Sequence, residues 1–318
     1  MLLDIGYIVA GIIGLVWGGN WLVTEAPRLA ESYGIPRLIV GLTIVACGTS
    51  ALELLVNLSS VFSGSTDLAL GNVVGSNIVN IGFILGIEGL IAPIMVRASL
   101  LRREIPIMIS VAILAFVLSL DGQIGQTDGL ILLAGFFIFN GLMIWLTLND
   151  KNATQAPDVS EFPQEEIVTI NRALEAGKLV AGLIILVIGA NLTVTGAINI
   201  ATALGVSQLI IGMTLVAVST SLPELMASLI VAMRKESDLA IGNVVGSNIM
   251  NVLLILGATS TLKPVSVPAS ALQFDFLVMI AFSAVLLPLA WTNRKLARWE
   301  CGVFLFGYAA FVAITLIR

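Results

Sequence analysis

The sequence predicts an all-α polytopic membrane protein with ten transmembrane helices, arranged as two inverted five-helix repeats in which helices 2, 3, 7 and 8 are broken. Three observations predict this fold. The 318 residues are 58% hydrophobic and 11% charged, whereas soluble domains carry about 45–50% apolar and about 25% charged residues. Apolar stretches of bilayer length recur along the whole chain. Finally, one half of the sequence is repeated in the other half.

The composition also excludes several classes of protein. The mean hydropathy of +1.05 argues against a soluble enzyme and a disordered chain. A net charge of −5 argues against a nucleic-acid partner. Histidine is absent, and the only cysteines, Cys47 and Cys301, are far apart in sequence. We therefore expect no disulfide framework, no His or Cys metal cluster and no bound cofactor.

Each predicted span is a stretch of about 20 mostly apolar residues. The spans lie near 4–23, 38–62, 68–92, 104–120, 129–148, 178–198, 208–233, 239–260, 273–291 and 300–317. The polar residues 149–177 divide them into a first repeat at 1–148 and a second, inverted repeat at 178–318. Of the 15 Lys and Arg residues, all except Lys263 and Arg318 fall in one set of alternating loops. The positive-inside rule then makes the 149–177 linker cytoplasmic and places both termini outside the cytoplasm.

The duplication is clearest when residue n is aligned with residue n+171. Over residues 41–80 and 212–251, 21 of 40 positions are identical. Because each half contains an odd number of predicted spans, the two copies enter the membrane from opposite sides. Inverted repeats of this kind are typical of secondary transporters, whose substrate site lies near the midplane.

Two glutamates, Glu53 and Glu224, fall in the middle of predicted spans. A charge at that depth costs at least about 2.5–3.5 kcal/mol, so such a residue is by default a candidate site. Hydroxyl residues precede each glutamate: Thr49, Ser50, Thr220 and Ser221. A helix interrupted there, as Pro223 favours in the second copy, exposes carbonyl oxygens that can line a cavity or bind an ion.

A second repeated element is GNVVGSNIVN at 71–80 and GNVVGSNIMN at 242–251. Ser76 and Asn80 are four residues apart and share a helix face, as do Ser247 and Asn251. We assign the remaining motif asparagines a structural role. The candidate set contains only oxygen ligands and two carboxylates, which suits hard cations such as Ca²⁺ and Na⁺. One Ca²⁺ or two Na⁺ would neutralise its charge, and this balance favours exchange by alternating access.

The paired motifs GTSALE…GNVVGSNIVN and STSLPE…GNVVGSNIMN resemble the two α-repeats of the sodium/calcium exchanger family, in the cation/calcium antiporter superfamily. The match is closest to its short prokaryotic members, which implies a prokaryotic inner membrane. The resemblance implies four ion sites between broken helices, with the first and sixth spans forming a sliding gate. It carries the ligand role to Thr49, Ser50, Glu53, Ser76, Asn80, Thr220, Ser221, Glu224, Ser247 and Asn251, and to the backbone carbonyls of Ala46 and Ala217.

The sequence departs from the family pattern at three positions. Leu52 stands where proline is usual, Ser219 replaces a glycine, and Asn251 replaces a frequent aspartate. These departures leave several alternatives open: a Ca²⁺/H⁺ antiporter, a K⁺-dependent Na⁺/Ca²⁺ exchanger and, more remotely, a cation channel or an intramembrane acid-pair protease. The expected partners are Ca²⁺, Na⁺ and the lipid bilayer. The sequence assigns no role to Glu88 and no oligomeric state.

Overall fold

The structure is a computed structural model that describes residues 2–33, 35–63, 66–149, 171–205 and 220–317. We call residues up to 149 the first half and residues from 171 onward the second half. The described part of the chain is almost entirely helical. Its helices are α1 (Leu2–Glu31), α2 (Arg37–Thr49), α3 (Ala51–Phe62), α4 (Thr66–Ile91), α5 (Ile105–Leu118), α6 (Gln126–Asn149), α7 (Arg172–Ala203), α8 (Leu222–Met233), α9 (Ser237–Leu262), α10 (Phe276–Trp291) and α11 (Arg298–Ile317).

Seven of the described helices are long and apolar enough to cross a bilayer, and the bent pair α2–α3 raises the number to eight. The shorter helices α5 and α8 correspond to the predicted spans near 104–120 and 208–233, and residues 208–219 of the second of these spans lie outside the described part. The all-α polytopic membrane fold is therefore confirmed, with seven to eight spans by length and composition. Side chains on α1, α6, α7 and α11 are largely exposed, as expected of helices that face lipid.

The helices α4 and α9 form the centre of the molecule. In the most apolar stretch of each helix, 72% of the residues are buried in α4 and 94% in α9, against 17–33% in the other continuous spanning helices. Each is continuous, so the breaks predicted in helices 3 and 8 are corrected. In their place each helix contains a π-helical turn, at Asn80–Leu85 and Asn251–Leu256. A π turn changes the hydrogen-bond pattern of a helix without ending it, and such turns occur frequently at functional sites.

A true break separates α2 from α3, whose axes differ by 42°. Ser50 lies at the break with φ −74° and ψ 2°. In the second half, α8 begins after Ser221, which has the similar values φ −94° and ψ 9°. Both pairs of angles lie near the sparsely populated bridge region, where many active-site residues are found.

Two further contacts join the halves. The helices α1 and α7 pack closely through glycines, and a Cβ atom built on Gly18 would lie 2.6 Å from the Gly182 carbonyl oxygen. Four two-residue strands also cross between the halves. Strand β1 (Ile94–Met95) pairs with β4 (Lys295–Leu296), and β2 (Gln123–Ile124) pairs with β3 (Val265–Ser266), both antiparallel.

Candidate cation site

The two predicted carboxylates lie in the first turns of α3 and α8, directly after the breaks. Glu53 and Glu224 are each 1% exposed. A helix N-terminus carries a partial positive charge, so the first turn is the part of a helix that best tolerates an anion. The break at Ser50 and the start of α8 after Ser221 therefore deliver both carboxylates to the interior in a favourable orientation.

Hydrogen bonds cross between the halves at this point. Ser50 Oγ donates to Glu224 Oε1 at 3.0 Å, and Ser221 Oγ donates to Glu53 Oε1 at 3.1 Å. Each carboxylate is thus held by the serine that precedes the other one. The two repeated segments that carry these serines and glutamates therefore meet at one buried place.

The central helices α4 and α9 complete the site from the opposite side. Ser76 Oγ lies 3.4 Å from Ser221 Oγ. Asn80 Nδ2 donates to Asn248 Oδ1 at 3.0 Å, and the repeat-related Asn251 Nδ2 donates to Asn77 Oδ1 at 3.2 Å. These bonds use the amide N–H groups and leave the amide oxygens of Asn80 and Asn251 without a donor.

Five buried oxygen atoms of the predicted site residues have no hydrogen-bond donor in the described part of the chain. They are Glu53 Oε2, Glu224 Oε2, Asn80 Oδ1, Asn251 Oδ1 and Ser247 Oγ. Most buried polar groups in folded proteins do have a partner, and a buried anion without one is costly. Among the described residues no lysine or arginine forms an ion pair with either glutamate. The arrangement can therefore accept a cation.

The threonines of the motif are placed differently from the serines. Thr49 Oγ1 donates to the backbone carbonyls of Val45 and Ala46 at 3.1 and 3.3 Å, while Thr220 Oγ1 donates to Asn72 Oδ1 at 2.9 Å. Both threonines are buried beside the glutamates. The Ala46 carbonyl also accepts the Ser50 backbone N–H at 3.0 Å. The other predicted carbonyl ligand, Ala217, lies outside the described residues.

A buried residue that the sequence analysis missed supports the motif asparagines. Asn57 Nδ2 donates to the Ala69 carbonyl at 3.1 Å, and Asn57 Oδ1 accepts from Asn72 Nδ2 at 2.7 Å. Asn72 in turn accepts from Thr220, so this short network joins α3, α4 and the second half. The repeat alignment gave no signal because the counterpart of Asn57 is Ser228. A lone asparagine in a predicted span was the only available sign.

The donor set is distinctive in its chemistry. In the described part of the chain no group of three or more His, Cys, Asp or Glu residues could hold a metal ion. The cluster instead combines two carboxylates with neutral hydroxyl and amide oxygens. Hard cations such as Ca²⁺ prefer oxygen ligands of this kind, whereas Zn²⁺ takes nitrogen and sulfur ligands.

An all-helical membrane protein with a buried, oxygen-only acceptor cluster between its two halves has the organisation of a cation transporter. The family model described as "Sodium/calcium exchanger protein" matches residues 3–145 and 175–317. The chain belongs to the sodium/calcium exchanger family. It is a transporter of that family and not an enzyme.

Individual relatives agree with this placement over nearly their whole length. The sodium/calcium exchanger MaX1 of Methanosarcina acetivorans is 32% identical over 338 residues, which cover 96% of this chain and 97% of that protein. The inner membrane protein YrbG of Escherichia coli is 34% identical over 315 residues, covering 96% and 94%. A solved structure of the sodium-calcium exchanger NCX_Mj, soaked with zero Na⁺ and Ca²⁺, superposes with a TM-score of 0.83 at 32% identity and covers 100% of this chain and 99% of that one.

Proposed function

We propose that this protein exchanges Na⁺ for Ca²⁺ across the membrane by alternating access, with both ions competing for the site around Glu53 and Glu224. The observation that carries the proposal is the set of five buried oxygens without donors. Two carboxylates give the cluster a formal charge of −2 that no described lysine or arginine offsets. One Ca²⁺ or two Na⁺ would balance this charge.

The proposed ligands are the residues of the two repeated motifs. Ca²⁺ takes six to eight oxygen ligands, and the cluster offers that number without large rearrangement because its hydroxyl groups can rotate. The proposed set is Glu53, Glu224, Thr49, Ser50, Ser76, Asn80, Thr220, Ser221, Ser247 and Asn251, with the carbonyls of Ala46 and Ala217. No cofactor takes part, and the ions are the substrates.

We further propose that the fold consists of two inverted five-span repeats, residues 1–148 and 178–318, joined by a cytoplasmic linker at 149–177. The offset of 171 residues relates α4 to α9, the two central π turns to each other, and β1 to β3. The crossed serine–glutamate bonds have the same relation. Ten spans with both termini outside the cytoplasm follow from the charge asymmetry of the loops. The E. coli relative, named as an inner membrane protein, supports that membrane as the location.

The helices α1 and α7 are proposed to move as one gate. They are held together at one end by Asn199 Nδ2, which donates to Asp4 Oδ1 at 2.9 Å. At the other end Arg172 lies over the Tyr33 ring, 4.4 Å from its centroid. The glycine contacts between Gly18 and Gly182 leave no room for side chains. A pair fastened at both ends in this way can slide against the core without separating.

The proposal is tested by Ca²⁺ uptake into Na⁺-loaded proteoliposomes, with external Na⁺ varied and a protonophore added in parallel. We expect uptake to require the outward Na⁺ gradient and to be insensitive to the protonophore. Glu53→Gln and Glu224→Gln should each abolish uptake because each removes half of the site's charge. Glu31→Gln, on an exposed carboxylate outside the site, is the matched control.

Three outcomes would contradict the proposal in different ways. Uptake driven by a proton gradient would reassign the protein as a Ca²⁺/H⁺ antiporter that uses the same site. Uptake that requires K⁺ would identify a K⁺-dependent exchanger. Wild-type rates in either glutamine variant would remove the site assignment altogether.

A further inference from the structure

Another buried glutamate, Glu88, plays no part in the proposed ion site. It lies near the end of α4 and is 0% exposed, and neither of its carboxylate oxygens has a hydrogen-bond donor. A carboxyl group within a membrane span is costly and is by default a functional candidate. Its repeat counterpart is Thr259, which is also fully buried. The buried carboxyl at position 88 is therefore present in the first half only.

Glu88 lines a small cavity of about 10 Å³, which is about the space needed by a single water molecule. The rest of the lining comes from the end of α4, the end of α8 and the connection to α9. It includes Ala92, Val231, Lys235, Glu236 and Ser237. Lys235 is exposed, and the loop charge bias places this connection on the cytoplasmic side. The cavity thus lies between a buried acid and the cytoplasmic surface.

The opposite side of Glu88 faces polar groups that lead towards the ion site. Ser228 on α8 lies beside the Glu88 carboxyl but forms no hydrogen bond with it. Ser228 Oγ accepts from Asn243 Nδ2 at 3.3 Å. Asn243 is buried in α9, with its side-chain oxygen lacking a donor. It precedes Ser247 by four residues, so the two share a helix face.

The charged and titratable groups around Glu88 come from three elements. Lys235 and Glu236 belong to the connection that lines the cavity. On α11 the Cys301 thiol is close enough to interact with Glu88, and Glu300 adjoins that thiol. None of them forms an ion pair with Glu88 in the described part of the chain. A proton bound to the carboxyl itself is the simplest way to neutralise the buried charge.

We propose that Glu88 is a proton-binding site, separate from the ion site, through which cytoplasmic pH regulates exchange. A proton that enters through the water-sized cavity binds one carboxylate oxygen and leaves a neutral carboxylic acid. The acid O–H then donates to Ser228 Oγ, a bond that the ionised carboxylate does not have. A hydroxyl group has one donor and two acceptor positions, so Ser228 Oγ can accept this new bond beside the one from Asn243 Nδ2. The change reaches Asn243, and through it the α9 face that carries Ser247.

The proton itself can be observed without any transport. Purified, ion-free protein is titrated while the C=O stretch of protonated carboxylic acids is followed by difference infrared spectroscopy. We expect one carboxyl band to be lost in Glu88→Gln and in Glu88→Thr, the residue found at the counterpart position. Glu104→Gln is the matched control, because Glu104 is equally buried but is ion-paired with Arg103 and should give no such band. An unchanged set of bands in both Glu88 variants would overturn the proposal.

Transport provides the second readout. In proteoliposomes, the pH on each side is varied separately. Wild-type exchange should respond to the pH on the cytoplasmic side by up to about tenfold per pH unit, the limit for one bound proton. Glu88→Gln should still exchange, and its rate should no longer follow that pH. Equal pH profiles for the wild type and Glu88→Gln would refute the regulatory role. The infrared test needs no Na⁺ or Ca²⁺, so failure of the proton-site proposal is distinguishable from failure of the proposed exchange function.

Discussion

Removal of the crossed serine hydroxyls one at a time should weaken Ca²⁺ binding by similar amounts. Ser50→Ala removes the donor 3.0 Å from Glu224 Oε1, and Ser221→Ala removes the donor 3.1 Å from Glu53 Oε1. Each change also removes one neutral oxygen ligand from the proposed cation site. Because the two contacts are related by the repeat, a site shared equally between the halves requires both variants to be affected.

The size of the effect follows from the partner. Hydrogen-bonding partners that orient a ligating carboxylate typically contribute about 10- to 100-fold to metal affinity, and both glutamates are buried, so solvent does not replace the lost hydroxyl. Each variant should therefore bind Ca²⁺ about 10- to 100-fold more weakly. Substitution of both serines removes ligands from one shared site, so the two effects should not simply add.

The measurement is equilibrium Ca²⁺ binding to purified protein by isothermal titration calorimetry in Na⁺-free buffer. Ser60→Ala is the control, because Ser60 lies on the same helix as Glu53 and its hydroxyl donates to the Val56 carbonyl of that helix. Its affinity should stay at the wild-type value. A large loss in only one of Ser50→Ala and Ser221→Ala would refute the shared site. Wild-type affinity in both would show that the serines are not ligands.

Two further predictions concern the gate and the charge of the site. Gly18→Ala should lower the stability of the protein by about 1–3 kcal/mol, because the new Cβ would meet the Gly182 carbonyl at 2.6 Å. Gly6→Ala is the control, because a Cβ atom on Gly6 of the same helix meets nothing within 4 Å. Thermal unfolding in detergent compares the two variants. Equal unfolding midpoints for both would contradict the close packing of α1 and α7. Asn251→Asp should retain Ca²⁺ binding and make it more sensitive to acid, since a third carboxylate would face Asn77 Oδ1 in place of the amide that now donates to it. An unchanged pH profile of Ca²⁺ binding would show that position 251 is peripheral.

The duplication explains why much of the candidate site could be predicted. Glu53, Ser50 and Ser76 are identical to their counterparts 171 residues later, so each polar position was seen twice. The structure brings Ser50, Ser76, Ser221 and both glutamates to one place. The crossing of the bonds could not be predicted in this way. An alignment of the two copies shows that they are equivalent, and it does not show which copy contacts which.

The breaks illustrate a different limit. Pro223 was expected to help interrupt the second copy, and its absence at Leu52 left the first break to rest on other residues. In the structure the first interruption falls at Ser50, among the hydroxyl residues where it was expected, and α8 begins after Ser221, which has nearly the same angles. Pro223 occupies the first turn of α8, where the backbone N–H has no intrahelical partner in any case. Proline is therefore compatible with the break and is not its cause.

Continuity of the central helices could not be predicted for a related reason. Breaks were predicted in helices 3 and 8, and the structure has continuous helices with π-helical turns that begin at Asn80 and Asn251. A π turn shifts the backbone hydrogen bonds from the i→i+4 to the i→i+5 pattern without ending the helix. No distinct pattern of residue types marks it in the sequence. Tertiary packing around the buried α4 and α9 decides between them.

The crossed bonds give the proposed exchange a physical basis. Each buried glutamate accepts a hydrogen bond from a serine of the other half, so a movement that separates these helices loosens the solvation of both carboxylates. Without a bound cation, that movement leaves buried charge uncompensated, at an effective cost of several kcal/mol per ion. Under the proposed exchange, a bound Ca²⁺ or Na⁺ offsets this charge, so we expect the loaded forms to rearrange more readily than the empty form. We therefore expect obligatory exchange to depend on the charge balance at four side chains, Ser50, Glu53, Ser221 and Glu224.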